Sequence, residues 1–287
     1  MARVGVGVPV FNGGAMLRQS LECLRTQSFE DIEVLMGDNA STDETGDICA
    51  DFAARDSRFV HIRRPENLGS LPNFADLRQQ STAPLFMWRA YDDLSSQNFV
   101  AQLVGCFDRD PSLRLAVCDI HSKADDRDRA RIFRYHPAIS GPRVVGALHR
   151  MFFSHASWIY GLWHRETLAA TQDRTFADYQ HAWGWDHLCM LPVMLDGGVG
   201  GTSAAHFVQR ILRSGTTKAE RKAKLPSTAE MTVLRADFAR FVDRVVYERD
   251  WNATEKLMMK GAMPFYVDRR GYSRFKLMRR RWRDSRK

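Results

Sequence analysis

Two adjacent aspartates are the strongest chemical feature of the sequence. Asp92 and Asp93 come just after the apolar run Leu85–Trp88, which has the composition of a buried strand. Neighbouring carboxylates repel each other unless a cation lies between them, and their oxygens suit Mg²⁺ or Mn²⁺. We therefore predict a divalent cation here, with Asp93 as a ligand. The alternative is a helix start, where the helix dipole favours acidic residues.

Polar clusters also follow three earlier apolar runs. They are Phe11-Asn12 after Val4–Val10, Asp38-Asn39 after Ile32–Met36, and residues 64–67 after Phe59–Ile62. Strands that alternate with helical segments over the first 120 residues predict a mainly parallel sheet with crossover helices. Ligands bind beyond the carboxyl ends of such strands. We therefore expect the four polar clusters to meet in one crevice.

The spacing of apolar residues predicts the helices and the less regular regions. Helices are expected around Met16–Leu24, Leu71–Gln80, Phe99–Phe107 and Ala229–Trp251, with one more starting at a capping box formed by Ser41 and Glu44. A fifth strand is expected at Leu113–Cys118, a variable loop region at 121–150, and partial helix at Thr175–Leu195. Gly5-Val6-Gly7-Val8 is not a dinucleotide fingerprint, because Val10 stands where the third glycine should be.

Charge is concentrated at one end of the chain. The 287 residues carry a formal charge of +8, but residues 269–287 alone carry +9 and the remainder nets −1. No apolar run approaches the roughly 18 residues of a membrane-spanning helix, and the N-terminus does not read as a signal peptide. The five widely spaced cysteines indicate reduced thiols. We expect a cytoplasmic protein.

The order of the motifs resembles that of the family 2 glycosyltransferases, inverting enzymes with the GT-A fold. The motifs are Val8–Gly13, Gly37–Thr45, Asn67-Leu68-Gly69 with Asn73, Ala90–Asp93, Tyr160–Arg165 and Gly184-Trp185-Asp186. The resemblance implies an α/β fold with a mainly parallel central sheet flanked by helices. It implies a glycosyltransferase domain over 1–215, divided into a nucleotide-binding half (1–120) and an acceptor-side half (121–215). Residues 216–287 would then form a helical, basic C-terminal extension.

The resemblance also implies a nucleotide-sugar donor, most often a UDP-sugar, and a saccharide or lipid-linked saccharide acceptor. The residues expected to bind the donor are Pro9, Phe11, Asn12, Asp38, Asn67, Asn73, Asp92, Arg210 and Arg213, and the metal ligands are Asp92 and Asp93. Asp38 could accept a hydrogen bond from the N–H of a uracil ring. It could instead only shape the turn that follows its strand.

Asp186 is the expected general base, which would take the proton of the acceptor hydroxyl. A solvated aspartate on an amphipathic helix is the alternative. Family members often carry a histidine after the base that reaches the metal or the diphosphate. This chain has Arg210 and Arg213 in the corresponding stretch, and either could contact the diphosphate.

The basic C-terminal end has two interpretations. Phe275, Met278 and Trp282 share one face at helical spacing, with arginines on the other faces. A basic amphipathic helix of this kind can lie on an anionic membrane surface. The alternative is a solvated, partly disordered tail.

Two other functions remain open at the level of sequence. A nucleotidyltransferase also combines an α/β sheet with acidic metal ligands, but it needs basic residues in the loop after the first strand. Here no Lys or Arg occurs there before Arg18. A nucleic-acid binder would use the basic tail, with salt-sensitive phosphate contacts. That function leaves the acidic residues of the first half unexplained, so no nucleic-acid partner is expected.

Overall fold

The computed structural model describes residues 2–126, 128–211 and 226–286. Two compact units are present. The first contains residues 1–137, 155–173 and 198–212, and the second contains residues 138–154, 174–197 and 213–287. Segments 138–154 and 174–197 thus group with the C-terminal helices, across the boundary expected at residue 215. The division into donor, acceptor and extension regions stays a prediction about function.

A single sheet organises the first unit. Its strands are β1 Val4–Val10, β2 Ile32–Asp38, β3 Phe59–Arg63, β4 Leu85–Trp88, β5 Leu94–Ser95, β6 Leu115–Ala124, β7 Arg131–Phe133, β8 Leu162–His164 and β9 Val199–Ile211. The order across the sheet is β3-β2-β1-β4-β8-β6-β9-β5, with β7 paired to β6.

The first four strands are parallel neighbours, as the sequence predicts. Val10 pairs with Asp38, and Asp38 with Arg63, so these strands end at the same edge of the sheet. β4 lies on the other side of β1, where Gly7 pairs with Trp88. The alternation of apolar strands and crossover helices therefore brings the polar clusters after β1 to β4 to one edge.

The rest of the sheet is mixed rather than parallel. β8 pairs antiparallel with both β4 and β6, while the long β9 runs parallel to β6. The fifth strand was predicted at Leu113–Cys118, and the corresponding strand β6 continues to Ala124. Residues 121–150 are therefore not one variable loop. They contain the end of β6, the strand β7 and most of a helix at Arg143–Phe153.

Ten α-helices lie within the described residues. They are α1 Gly14–Arg25, α2 Thr45–Arg55, α3 Ser70–Gln80, α4 Phe99–Arg109, α5 Arg143–Phe153, α6 Arg165–Asp178, α7 Trp185–Asp196, α8 Thr228–Tyr247, α9 Ala253–Arg270 and α10 Arg274–Asp284. The expected capping box at Ser41 and Glu44 is wrong. α2 begins only at Thr45 without a side-chain cap, because the Ser41 hydroxyl accepts a hydrogen bond from the Asn12 amide instead.

The second unit is helical. The buried side chains of α8 include Phe238, Phe241 and Val245, and α7 is buried along most of its length. Capping boxes at Ser227 and Asn252 start α8 and α9. No helix in the described parts of the chain combines the length and the apolar content needed to cross a membrane.

Candidate functional site

A cavity of about 400 Å³ lies at the carboxyl ends of β1, β2 and β4, within the first unit. Its lining combines apolar rings with amide and carboxylate groups. The lining residues are Pro9, Val10, Phe11, Asn39, Asn67, Gly69, Ser70, Asn73, Phe74, Ala90, Tyr91, Asp92 and Tyr160. The cavity therefore brings together five of the predicted site residues, Pro9, Phe11, Asn67, Asn73 and Asp92.

The loops after β1 and β2 are tied to each other. The Asn12 side-chain oxygen accepts from the Thr42 amide at 2.9 Å, and the Thr45 hydroxyl accepts from the Gly13 amide at 2.8 Å. Asn12 has a positive φ of 52°, a conformation that asparagine tolerates better than most residues. Asn12 thus shapes the rim and is not among the residues that line the cavity.

Asp38 is wholly buried at the end of β2. One carboxylate oxygen accepts from the Ser41 amide at 2.8 Å, and the other accepts from the Arg63 guanidinium at 3.0 Å. These contacts fit the turn interpretation of Asp38. A direct contact with a base would require one oxygen to become accessible, so that role stays a prediction.

Asn39 lines the cavity, as expected for the polar cluster after β2, although it was not among the residues expected to bind the donor. Its side-chain nitrogen donates to the Asn67 side-chain oxygen at 2.8 Å and to the Gly69 carbonyl at 3.0 Å. Its side-chain oxygen accepts from the Leu68 amide at 3.0 Å. Asn39 therefore fixes the Asn67–Gly69 turn against β2. In the sequence, only the position of Asn39 directly after a strand indicated that it could line a site.

Asn73 lines the cavity and has one buried polar atom without a partner in the described residues. Its side-chain nitrogen donates to the Gly37 carbonyl at 2.8 Å, which fixes the orientation of the amide. Its side-chain oxygen is buried and accepts no hydrogen bond within the described parts of the chain. Because an unsatisfied buried acceptor costs free energy, a ligand that donates to this oxygen would be favoured.

The paired aspartates differ in burial. Asp92 is half-buried and lines the cavity, whereas Asp93 is buried and is not among the lining residues. Burial raises the pKa of both carboxyls and is the main cause of the rise in the pKa of Asp93 to about 7. The hydrogen bond from the Arg210 amide acts against this rise, and the charge of Asp92 adds to it. Two carboxyls that resist ionisation side by side are stabilised in their charged forms by a cation.

Arg89 is a buried cation just before this pair, and sequence reasoning missed it. Its guanidinium lies over the rings of Phe99 and Phe207 at 5.3 and 5.2 Å, and donates to the Ser95 hydroxyl at 2.8 Å. Burial lowers the pKa of Arg89, while its charge acts against the rise in the pKa of Asp93. An arginine at the end of an otherwise apolar strand was the available signal.

Arg210 joins the aspartates to helix α1. Its amide donates to the Asp93 carboxylate at 2.8 Å, and its guanidinium donates to the Asp92 carbonyl and to the Gln19 side chain. It is not among the cavity-lining residues, so a contact with a diphosphate stays a prediction. Arg213 lies outside the described residues.

The metal prediction rests on two carboxylates alone. In residues 2–126, 128–211 and 226–286, no group of three or more His, Cys, Asp or Glu side chains is arranged to hold a metal. The donor set is nevertheless one that suits Mg²⁺ or Mn²⁺, which accept a few carboxylates and complete their coordination with water and phosphate oxygens. Asp92 and Asp93 therefore fit such an ion when a ligand supplies further oxygens.

Asp186 lies in the second unit, in the first turn of α7. The helix begins after Gly184, whose φ of +80° favours glycine. A Cβ at Gly184 would also come within 3.3 Å of the Phe238 ring on α8. The Asp186 carboxylate accepts from the His187 amide at 2.7 Å, and burial raises the pKa of Asp186. A raised pKa suits a proton acceptor that works near neutral pH.

The C-terminal helices hold the segment that carries Asp186. The Trp183 ring stacks on Tyr272, in the connection between α9 and α10, with ring centroids 4.4 Å apart. The Tyr179 hydroxyl donates to the Trp183 carbonyl at 2.6 Å. His181 contacts Asp237 of α8 at 2.8 Å. The segment before Asp186 is therefore packed against residues of the expected C-terminal extension.

Tyr266 and Arg270 of α9 also interact with Asp186 through their charges or pKa values. The charge of Arg270 acts against the rise in the pKa of Asp186. Burial raises the pKa of the Tyr266 hydroxyl, and the charge of Asp186 adds to that rise. Arg270 also donates to the carbonyls of Met151 and Phe152 at the end of α5. The Tyr266 hydroxyl is buried without a hydrogen-bond partner in the described structure. The extension thus contributes to the electrostatics of Asp186.

Among curated proteins, a short stretch of the chain is similar to two glycosyltransferases of Streptococcus pneumoniae serotype 4. It is 37% identical to glycosyltransferase GlyA over 67 residues, which cover 23% of this chain and 10% of GlyA. It is 36% identical to glycosyltransferase GlyG over 66 residues, which cover 23% of this chain and 22% of GlyG. The chain therefore matches less than a quarter of the length of either relative.

Solved structures show the same fold over most of the chain. Staphylococcus aureus TarS 1-349 in complex with UDP-GlcNAc superimposes with a TM-score of 0.66 and 14% identity, covering 93% of this chain and 71% of that one. A Pyrobaculum calidifontis mannosyltransferase in complex with GDP-Man and Mn²⁺ gives a TM-score of 0.55 at 14% identity, covering 93% and 72%.

The predicted fold is confirmed by these structures, since the mixed sheet flanked by helices is that of GT-A glycosyltransferases. The sequence matches the family described as "Glycosyl transferase family 2" over residues 5–167, which is more than half of the chain. That range includes β1 to β4 and the cavity at their ends. The chain belongs to glycosyl transferase family 2.

Proposed function

We propose that this protein is an inverting glycosyltransferase. It moves a sugar from a nucleotide-sugar, with a UDP-sugar as the first candidate, to a glycan or lipid-linked acceptor. The observation that carries the proposal is the cavity at the ends of the parallel strands, whose lining includes the side chains of Asn73 and Asp92. The ring of Phe11 and the amides of Asn39 and Asn67 give it apolar and polar surfaces for a base and a ribose.

The diphosphate of the donor would lie next to the paired aspartates. Asp92 and Asp93 would hold a Mn²⁺ or Mg²⁺ ion, whose chemistry is to neutralise negative charge on the departing nucleoside diphosphate. The raised pKa of Asp93 supports this assignment, because a cation is what would make both carboxylates stable at neutral pH. The mannosyltransferase neighbour is itself a complex with Mn²⁺.

Asp186 is proposed as the general base. The acceptor hydroxyl oxygen would form a bond to the anomeric carbon as the bond from that carbon to the diphosphate oxygen breaks. Asp186 would receive the hydroxyl proton, and one direct displacement would invert the anomeric configuration. The pKa of Asp186, raised by burial, supports this role.

The proposed setting is bacterial surface polysaccharide synthesis at the cytoplasmic face of the inner membrane. The names of the neighbours support the donor class and not this setting, since TarS binds UDP-GlcNAc in one structure and the S. pneumoniae relatives are glycosyltransferases. The strongly basic residues 269–287 suit a protein that works near anionic lipids.

A thermal-shift panel tests the donor site. UDP, GDP, dTDP, CMP and ATP are each added with and without Mn²⁺, and the midpoint of unfolding is measured. We expect UDP with Mn²⁺ to stabilise the protein, by about 2.7 kcal/mol at 100 times its dissociation constant. Asn73→Leu, which removes the unpartnered acceptor, should weaken the response. The absence of a response to all five nucleotides would contradict the proposal.

A further inference from the structure

The most exposed large apolar side chains of the described structure lie on its last two helices. Leu257 and Phe265 on α9 are 70% and 65% exposed, and Phe275 and Met278 on α10 are both 63% exposed. Trp282, also on α10, is 53% exposed. Side chains of this size concentrated on neighbouring elements indicate a surface that is covered in the working protein.

Helix α9 has two apolar faces. Met259, Met263 and Tyr266 are buried in the second unit. At 100° per residue, the exposed stripe of Leu257, Gly261 and Phe265 lies on the opposite face. A Cβ added at Gly261 would meet nothing within 4 Å, so the stripe is open along its length. A surface helix normally places polar residues on this face.

Helix α10 repeats the pattern at a shorter length. Leu277 is its buried residue, and Phe275, Met278 and Trp282 form an exposed stripe on the other side. The sequence predicted this second stripe. The α9 stripe was not recognised, because Gly261 and the exposed Pro264 interrupt its hydrophobic periodicity.

Basic side chains surround both stripes. The exposed basic residues of the two helices are Lys256, Lys260, Arg269, Arg274, Lys276, Arg279, Arg281 and Arg283, and Arg286 follows the end of α10. In the same span only Asp284 is an exposed acid, while Glu255 and Asp268 are half-buried. The surface therefore combines large apolar groups with a strong positive charge.

We propose that α9 and α10 form a docking surface for an anionic lipid bilayer, with the two stripes in the interface between headgroups and acyl chains. The basic side chains would contact anionic headgroups. This inference deepens the membrane setting of the proposed function by naming the surface that binds, and it does not depend on the reaction. A second copy of the chain is a poorer occupant, because residues 269–287 carry +9 and would face the same charge. A nucleic acid would use the charge but leave both stripes in water.

Vesicle flotation of the full-length protein measures the proposed binding. The vesicles are phosphatidylcholine alone, or phosphatidylcholine with 30% phosphatidylglycerol, at 0.1 and 0.5 M NaCl. We expect at least about tenfold stronger partitioning to the anionic vesicles at 0.1 M, weakened but not abolished at 0.5 M, because salt screens charge and leaves apolar burial in place. Equal binding to both vesicle types, or to neither, would overturn the proposal.

Two double variants separate the stripes. Leu257→Ser with Phe265→Ser removes the α9 stripe, and Phe275→Ser with Trp282→Ser removes that of α10. Because these side chains are exposed, the fold should be kept, which circular dichroism checks. Each pair should weaken partitioning by about tenfold or more. The proposal is overturned if both pairs bind vesicles as tightly as the parent protein.

The controls are exposed apolar residues elsewhere. Val233→Ser and Ile132→Ser change side chains that are 55% and 54% exposed, and both variants should bind vesicles like the parent protein. Sedimentation without lipid tests the other occupants. A dimer that either stripe variant dissociates would assign the surface to a second copy instead. Binding of a single-stranded RNA probe as tight as binding to anionic vesicles, and unchanged in the stripe variants, would assign the charge to nucleic acid.

Discussion

The two units hold their candidate functional groups in different ways. In the first unit, hydrogen bonds between loops fix the cavity rim, as between Asn39 and Asn67, and the polar side chains of Asn73 and Asp92 line the cavity. In the second unit, Asp186 follows a segment packed on aromatic rings, including Tyr272. The first arrangement suits binding of a polar ligand, and the second suits the control of one carboxyl. Substitutions should therefore separate donor binding from turnover.

The largest effect is expected for Asp93→Asn. Without this carboxylate the proposed metal is lost, and turnover of the fastest UDP-sugar should fall roughly 10³- to 10⁴-fold, since a bound metal supplies several kcal/mol at the transition state. Mn²⁺-dependent UDP binding should fall with it, as measured by calorimetry. Asp243→Asn is the matched control, because burial also raises the pKa of Asp243 but this residue of α8 is not part of the proposed site. Unchanged turnover in Asp93→Asn would exclude the metal role.

Asp186→Asn should give the second-largest effect, and it should change turnover without changing nucleotide binding. Turnover should fall roughly 10²- to 10³-fold, the size expected for a lost general base. Binding of UDP with Mn²⁺ should stay within about twofold of the parent value, since Asp186 is not proposed to touch the nucleotide. A parallel loss of UDP binding would show that the units do not divide binding from catalysis.

Tyr272→Ala should also lower turnover without changing UDP binding, by a smaller factor than Asp186→Asn. Loss of the stack on Trp183 should let the Asp186 segment move, lowering kcat about tenfold with UDP binding unchanged. Tyr272→Phe keeps the ring and should restore kcat. If both variants lose activity equally, the hydroxyl matters rather than the stack.

The pH dependence of the first unit should follow Asp93. Its pKa of about 7 in the folded protein exceeds the value of about 3.9 expected in the unfolded chain, so the folded state binds the extra proton between these values. Without metal, the free energy of unfolding contributed by Asp93 should therefore fall as the pH rises from about 4 to about 7. Urea unfolding of the parent and Asp93→Asn proteins would show this as a difference between their pH profiles.

Mn²⁺ binding should show the opposite trend. The ion competes with the Asp93 proton, so its affinity should rise by about tenfold per pH unit up to pH 7 and then level off. The parent protein is titrated with Mn²⁺ and UDP from pH 5.5 to 8.5. A flat profile would exclude Asp93 as the ligand that titrates.

Asn252→Ala should give the smallest effect. Loss of the capping box at the start of α9 should destabilise the second unit by about 1 kcal/mol. UDP binding should not change, because this helix is not part of the cavity. Denaturant unfolding followed with and without UDP measures both quantities, and a change in UDP affinity would contradict the separation.

Much of the first unit could be predicted from sequence, because its signals are local. The β-branched run Val4–Val10 and the polar residues beyond it indicated a strand and its end, and the parallel order then brought the polar clusters to one edge. The error at Ser41 has a physical cause. A hydroxyl near a helix start can accept from several amides, and Asn12, 29 residues away, is the one it accepts from.

The second unit was less predictable, because its signals are long-range. The packing of Trp183 on Tyr272 joins residues far apart in sequence, which no periodicity reveals. The role of Asn39 and the presence of Arg89 were missed for a related reason. Asn39 matters through its bonds to the Asn67 turn, and Arg89 through burial that only the folded sheet produces.

The most direct test of the account is the electron paramagnetic resonance spectrum of Mn²⁺ with UDP bound to the protein. The account predicts a protein-bound ion with coupling to phosphorus, present in the parent protein and in Asp243→Asn but lost in Asp93→Asn. A spectrum of free Mn²⁺ in the parent protein, or the same bound spectrum in Asp93→Asn, would contradict a metal-assisted nucleotide-sugar site at these strand ends.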